Sequence, residues 1–217
     1  MVQKSILLFG ATGGTGAEIL KQALEAGHYV TAVARTPTKI TMAHANLRIV
    51  LGDIADAASI MKAFDKPYDA VISALGVFLK EPGTTLSDGT KNIIAAMKPH
   101  NLKRLIVVSS IGAGETKGVG PWWVRAFQHF VLKNTLADKT LQEKAIQDAN
   151  LDWTFIRPPR LMQGPKRGNY ITWTGRDAPA GKKLKWQVNR ADVAAECLRA
   201  LNDPSTIGQG LQISYLA

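Results

Sequence analysis

Short apolar runs recur along the chain, separated by longer stretches in which apolar residues return every third or fourth position. The runs Ser5–Phe9, Val30–Ala34, Leu47–Leu51 and Ala70–Ser73 are rich in Val, Ile and Leu, the pattern of strands buried on both faces of a parallel sheet. Leu105–Ser109 and Trp153–Ile156 continue the series. Between them, Ala17–Glu25 carries Ile19, Leu20, Ala23 and Leu24 on one side, and Leu86–Met97 carries a stripe of Ile93, Ile94 and Met97, so both predict amphipathic helices. Gly27 marks a helix end, and Asp88 and Asp192 stand near helix starts. Regular strand–helix alternation predicts an α/β protein with a doubly wound, mainly parallel sheet and helices on both faces. No linker or internal repeat divides the chain, so residues 1–217 are expected to form one domain. Gly164–Gln187 breaks the rhythm with glycines, prolines and scattered aromatics. It is expected to belong to a substrate-side insertion spanning residues 160–187, with a short strand at Tyr170–Thr174. Leu211–Tyr215 is expected to be the last strand.

Composition narrows the class. The chain of 217 residues is 46% hydrophobic and 20% charged, enough apolar surface for a substantial core. No apolar run approaches the roughly 18 residues of a membrane span. The run Ile6-Leu7-Leu8-Phe9 is too brief for a signal peptide and leads into a glycine loop, so a soluble cytoplasmic protein is expected. The single cysteine, Cys197, excludes an internal disulfide. Its spacing from Val193 and Leu201 places it on the apolar face of a helix, as a packed thiol rather than a nucleophile. His28, His44, His100 and His129 show no ligand spacing, and no metal is expected. The net charge of +10 is uneven, because residues 80–190 carry 19 Lys/Arg against 8 Asp/Glu. Such a half can be a solvated basic face, or it can attract a phosphate-rich ligand, anionic lipid or nucleic acid. No nucleic-acid-reading motif accompanies the charge. The expected partner is a planar or anionic small molecule, with the chain a monomer or weak homodimer and neither nucleic acid nor membrane bound.

The chemistry begins at Gly10-Ala11-Thr12-Gly13-Gly14-Thr15-Gly16, directly after a strand and opening a helix. There the first glycine of a Gly-x-x-Gly-x-x-Gly pattern permits a tight turn, the second lets pyrophosphate approach the backbone, and the third lets helix pack on strand. The unpaired amides of the helix start then favour an anion. At the end of the second strand, where an NAD site places Asp or Glu, the chain has Arg35-Thr36-Pro37-Thr38-Lys39. Arg35 can grip a 2′-phosphate through its planar fork, Thr36 can add a hydroxyl donor and Lys39 charge. NADP(H) is therefore expected over NAD(H).

Together these pieces resemble the short-chain dehydrogenase/reductase superfamily in its atypical, NmrA-like branch. Phe9–Gly16, Gly52-Asp53-Ile54, Asp69–Gly76, Val107–Gly112, Asp152–Pro158 and Arg190–Ala194 carry the likeness over nearly the whole chain. Leu86–Lys98 is most similar to biliverdin-IXβ/flavin reductase-like proteins. The resemblance implies that Asp53 and Ile54 contact adenine, that Leu75 and Gly76 line a ribose, and that Ser109, Ser110 and Pro158 lie beside the nicotinamide. For the two serines, simple strand termination is the alternative.

One departure redirects the chemistry. Short-chain dehydrogenases use a Tyr-x-x-x-Lys pair, whose lysine lowers the tyrosine pKa for proton transfer. None of Tyr29, Tyr68, Tyr170 and Tyr215 has a lysine four residues on, and the corresponding place is Thr135-x-x-x-Lys139. Lys139 and Ser110 are then the candidate catalytic groups. Lys139 either holds the nicotinamide ribose or is a surface lysine paired with Glu143. Without a phenol, hydride transfer to a flavin, a biliverdin-like tetrapyrrole or another conjugated acceptor fits best. Trp122, Trp123, Phe127, Arg160 and Tyr170 are the candidate substrate pocket, with packing of the α-helical aromatics into the core as the alternative. The second functional reading is an NADP(H)-sensing regulatory protein without turnover.

Overall fold

The computed structural model describes residues 2–217. Eight strands form the central sheet in the order β3-β2-β1-β4-β5-β6-β10-β8. These are β1 (Ser5–Phe9), β2 (Tyr29–Ala34), β3 (Leu47–Leu51), β4 (Ala70–Ser73), β5 (Arg104–Val108), β6 (Asp152–Arg157), β8 (Tyr170–Trp173) and β10 (Gln209–Tyr215). All neighbours pair in parallel except β8, which runs antiparallel to β10. This is the doubly wound Rossmann arrangement the alternation predicts. Its topological switch point, the crevice where ligands bind in such sheets, lies between β1 and β4.

Strand alternation divides the core. Ile6 and Leu8 of β1 join Ile72, Ile106, Ile156 and Ile213 beneath α1 (Gly14–Glu25) and α6 (Arg190–Leu201). Leu7 and Phe9 point the other way, joining Val71, Leu105, Val107 and Phe155. That face is covered by α2 (Ala57–Ala63), α3 (Thr85–Met97) and α5 (Lys133–Gln147), through Ile60, Ile93, Met97 and Ile146. Each such fully buried aliphatic side chain contributes roughly 1.5–3 kcal/mol relative to exposure. Cys197 packs in the α1/α6 cluster as its helical spacing predicts, and burial pushes its thiol pKa up, away from reactivity.

The helix α5 is held differently. Thr135, Asp138, Lys139, Gln142, Glu143 and Ile146 are all buried, so its inward face is mostly polar. The N-cap of α3, Thr84, makes no side-chain cap bond. Instead the Asp138 carboxylate accepts from the Leu86 amide at 2.7 Å and the Ser87 amide at 2.9 Å. A cap supplied from a neighbouring helix satisfies orphan amides and fixes α5 against α3. Gln142 adds a bond of 2.9 Å to the Thr90 hydroxyl.

Several boundaries differ from the sequence expectation. The first helix begins at Gly14 rather than Ala17, which brings the glycine loop into its first turn. The strand expected at Tyr170–Thr174 ends at Trp173 and joins the main sheet as β8. Two further short strands, β7 (Arg160–Met162) and β9 (Gln187–Asn189), pair in parallel beside it. Asp192 ties the intervening loop down, accepting from the Arg167 and Gly168 amides at 3.0 and 2.8 Å. It also accepts from Tyr215 at 2.5 Å, and burial together with that bond pushes the Tyr215 phenol up to about 12. No described helix is long and apolar enough to cross a membrane.

Candidate functional site

Six parallel strands end on one edge, and the residues that follow them are those the sequence singles out: Gly10, Arg35, Gly52-Asp53, Ala74-Leu75-Gly76, Ser109-Ser110 and Pro158. Two glycines of the loop, Gly10 and Gly16, are required by the fold, for different reasons. Gly10 has φ +85°, and a Cβ there would stand 2.7 Å from the Ala74 carbonyl oxygen, across the switch point. A Cβ on Gly16 would collide with the Gly10 carbonyl, so helix and strand could not close. Gly13 is in ordinary extended backbone (φ −85°, ψ 158°), and a Cβ would meet nothing nearer than the Gly10 oxygen at 3.4 Å. The protein itself does not need glycine at position 13. It leaves a cradle open beside the start of α1.

Around that cradle stand donors without acceptors. Gly13 caps α1 with no side-chain bond, and the first-turn amides of Gly14, Thr15 and Gly16 lack intrahelical partners. Thr12 is exposed beside them, whereas Thr15 is buried. Arg190, the first residue of α6, lies over the loop. Its Cδ and Nε are 2.8 and 2.9 Å from where a Gly14 Cβ would be. Among the described residues it has no ion-pair partner. Sequence reasoning missed this arginine, because nothing local shows that α6 begins beside α1. Arg35 and Thr36 are exposed beyond β2, and Arg35 likewise has no ion-pair partner among the described residues.

Further along the edge, Asp53 is half-buried, with one carboxylate oxygen accepting from the Ala55 amide at 3.0 Å. Ile54 is packed over Gly89 of α3, and its carbonyl accepts from Asn92 at 2.8 Å. Leu75 is half-buried next to Gly10, and Gly76 is open to solvent. The Ser109 amide donates to Ile156, which pairs the ends of β5 and β6, but its buried hydroxyl finds no partner. Ser110 donates to the Ile111 carbonyl at 3.1 Å, and the Pro158 carbonyl accepts from the Ile111 amide at 3.0 Å.

Lys139 is not a surface residue. It is only 7% exposed, and its Nζ donates to the Val108 carbonyl, 3.1 Å away at the end of β5. Burial lowers its pKa to about 8, with Glu143 and Asp138 opposing the shift. The surface pairing with Glu143 that the sequence allows does not form, because Glu143 grips the buried Arg157 of β6 at 2.9 and 2.8 Å. Arg157 also donates to Glu115 at 2.5 Å. Burial opposes the Arg157 charge, but the two carboxylates outweigh it and raise its pKa. Thr135, in the place of the usual tyrosine, uses its hydroxyl to accept from the Leu79 amide at 2.9 Å.

The expected substrate residues do not converge. Tyr170 faces the α1/α6 cluster, where its hydroxyl donates to Glu196 at 3.1 Å; burial and that carboxylate push its pKa up. The antiparallel register of β8, Tyr170 opposite Tyr215, dictates this direction. Trp122, Trp123 and Phe127 lie exposed on α4 (Trp122–Phe130), so packing into the core is excluded. Arg160 is exposed on β7. A cavity of about 780 Å³ lies elsewhere, between α1 and α6 and lined by Gln22, Lys166 and Arg199. No cluster of three or more potential metal ligands occurs among the described residues.

The model of a family described as NAD(P)H-binding matches residues 10–204. The chain belongs to that family. This agrees with a glycine cradle that the fold leaves open. Among individual relatives, the chain is 29% identical over 212 residues to the Arabidopsis thaliana uncharacterized protein At2g34460, covering 90% of this chain and 72% of that one. It is 26% identical over 216 residues to a Streptomyces griseus (4-alkanoyl-5-oxo-2,5-dihydrofuran-3-yl)methyl phosphate reductase, covering 96% and 67%. The structure of ChuY, an anaerobillin reductase from Escherichia coli O157:H7, superposes with a TM-score of 0.78 at 27% identity, over 96% of each chain. The chain spans 58% of the Synechocystis photosystem II assembly factor Ycf39, at 27% identity.

Proposed function

We propose that this NAD(P)H-binding protein is a reductase that prefers NADP(H) and acts on conjugated small-molecule acceptors of the flavin or linear-tetrapyrrole class. The observation that carries the reading is Lys139. A buried ammonium is held at the end of β5, and no phenol stands one turn before it. A bound nicotinamide supplies the hydride. The chain's part is to hold and polarise. Glycine-loop amides and Arg190 hold the pyrophosphate, Arg35 and Thr36 the 2′-phosphate, Asp53 and Ile54 the adenine, and Leu75 and Gly76 a ribose. Lys139 holds the nicotinamide ribose and places positive charge beside the reacting ring, while the unpartnered Ser109 hydroxyl and Ser110 offer polar contacts there. With a threonine, whose hydroxyl is a poor acid near neutral pH, in the place of the phenol, solvent supplies any proton, which suits an acceptor that delocalises charge. Reductases among the relatives, the Streptomyces enzyme and ChuY, support the same class. The missing phenol also favours a second reading, an NADP(H) sensor without turnover.

Steady-state NADPH oxidation with a panel of flavins, quinones and biliverdin isomers separates the two. Turnover supports the reductase, and tight NADPH binding without turnover with any acceptor replaces it by the sensor. In either case Lys139→Met is expected to weaken NADPH binding or turnover by about 1–3 kcal/mol. Because the free protein loses the Lys139 ammonium as pH rises through about 8, wild-type affinity for the anionic cofactor should decline above that pH. The decline should be absent in Lys139→Met, and identical pH profiles remove Lys139 from the site.

The two arginines are expected to differ in selectivity. Arg35→Asp should weaken NADPH by about 2–3 kcal/mol and NADH much less, since only NADPH carries the 2′-phosphate. Arg190→Gln should weaken both cofactors about equally, because both carry pyrophosphate. Calorimetry with the two cofactors on each variant checks this, and equal losses for Arg35→Asp refute its assignment.

A further inference from the structure

The helix α4 presents its apolar side to solvent. Gln128 is its one buried residue, and the amide donates to the Ile111 and Val119 carbonyls, which anchors α4 to the segment following Ser110. At helical spacing, Trp122, Ala126, Phe130, Trp123, Phe127 and Val131 form a continuous arc on the outer side. Trp122 is 74% and Phe130 81% exposed. Phe78 is exposed as well, on a loop tied to α5 where the Leu79 amide donates to Thr135 and Asn134 donates to the Lys80 carbonyl. An exposed aromatic ridge of this kind is rare on a surface without a partner.

Charge identifies the partner. Residues 116–137 contain Lys117, Arg125 and Lys133 and no Asp or Glu, and the Phe78 loop carries Lys80 with Glu81 beside it. A second copy set face to face on this ridge would bring Lys117, Arg125 and Lys133 against like charges, with no acid among residues 116–137 to meet them. An anionic surface would meet them all. Trp and Phe at headgroup depth, rimmed by Lys and Arg, is the arrangement by which helices lie in a membrane interface without spanning it. We infer that α4 docks the protein peripherally on anionic lipid bilayers, with the C-terminal edge of the sheet turned toward the membrane. The inference does not depend on the cofactor reading.

The test is co-sedimentation of the whole chain with vesicles of phosphatidylcholine, with and without 50% phosphatidylglycerol, alongside tryptophan quenching by brominated lipid. Partitioning onto the anionic vesicles should exceed that onto neutral ones by at least about tenfold and fall as salt rises. The triple variant Trp122→Ser, Trp123→Ser, Phe130→Ser alters only exposed side chains and should abolish it with an unchanged melting temperature. Arg125→Glu with Lys133→Glu should weaken it strongly. Absence of partitioning, or partitioning that the triple variant retains, overturns the inference. So does a dimer in sedimentation equilibrium that the triple variant dissociates, which would give the ridge to a second copy.

Discussion

Gly13→Val is expected to fold and to lose nicotinamide-cofactor binding, by about 100-fold or more in Kd, roughly 2.7 kcal/mol. Extended backbone at this residue suits a β-branched side chain, and a Cβ there has room against the Gly10 oxygen. Replacing an N-cap glycine by valine costs about 1 kcal/mol of helix stability, so only a small fall in melting temperature accompanies the change. The valine fills the space through which pyrophosphate reaches the Gly14, Thr15 and Gly16 amides. Gly16→Val is the contrasting control, because its side chain would strike the Gly10 carbonyl and prevent folding itself. Calorimetric titration with NADPH on folded Gly13→Val measures the effect, and wild-type affinity would show that the loop does not hold the cofactor.

Glu143→Leu is expected to lower the unfolding free energy by about 3–5 kcal/mol, the range for stripping one partner from a buried ion pair. Arg157 is 1% exposed, and its fork is received by both Glu143 oxygens. The space it occupies exists because residues 114 and 210 are glycines. A Cβ on Gly210 would strike the guanidinium, and one on Gly114 the Glu143 carboxylate. The exposed Glu115 keeps one contact, which places the loss toward the lower figure. Arg157→Met combined with Glu143→Leu should recover much of the stability, since neither variant residue then leaves a charge unpaired. Denaturant unfolding of the single and double variants measures both. Removing Glu143 also takes away the charge that most opposes the depression of the Lys139 pKa, so the pH at which cofactor affinity declines should move down.

Much of the fold was legible locally. A run buried on both faces, as in β1 or β4, has nowhere to go but the middle of a parallel sheet, and the stripes of α1 and α3 name the faces they cover. The glycine loop was legible because its spacing is set by backbone geometry within one turn. The position of Arg35 directly after β2 was legible because the end of that strand follows from its apolar run. The polar face of α5 was not. Apolar periodicity passes over a helix whose inward residues are Thr135, Asp138, Lys139, Gln142 and Glu143, and their partners lie on other elements.

The sequence by itself determined the strand series, the doubly wound class, the glycine loop between β1 and α1 and the placement of a cation where an NAD site has an acid. Local sterics and burial decide each of these within a few residues. Only the tertiary structure decided that Tyr170 belongs to Glu196, that Arg190 lies on Gly14, and that Lys139 is buried against Val108. It also decided that the α4 aromatics face outward. Each depends on sheet register, or on which helix packs beside which, and those follow from burying the whole core at once.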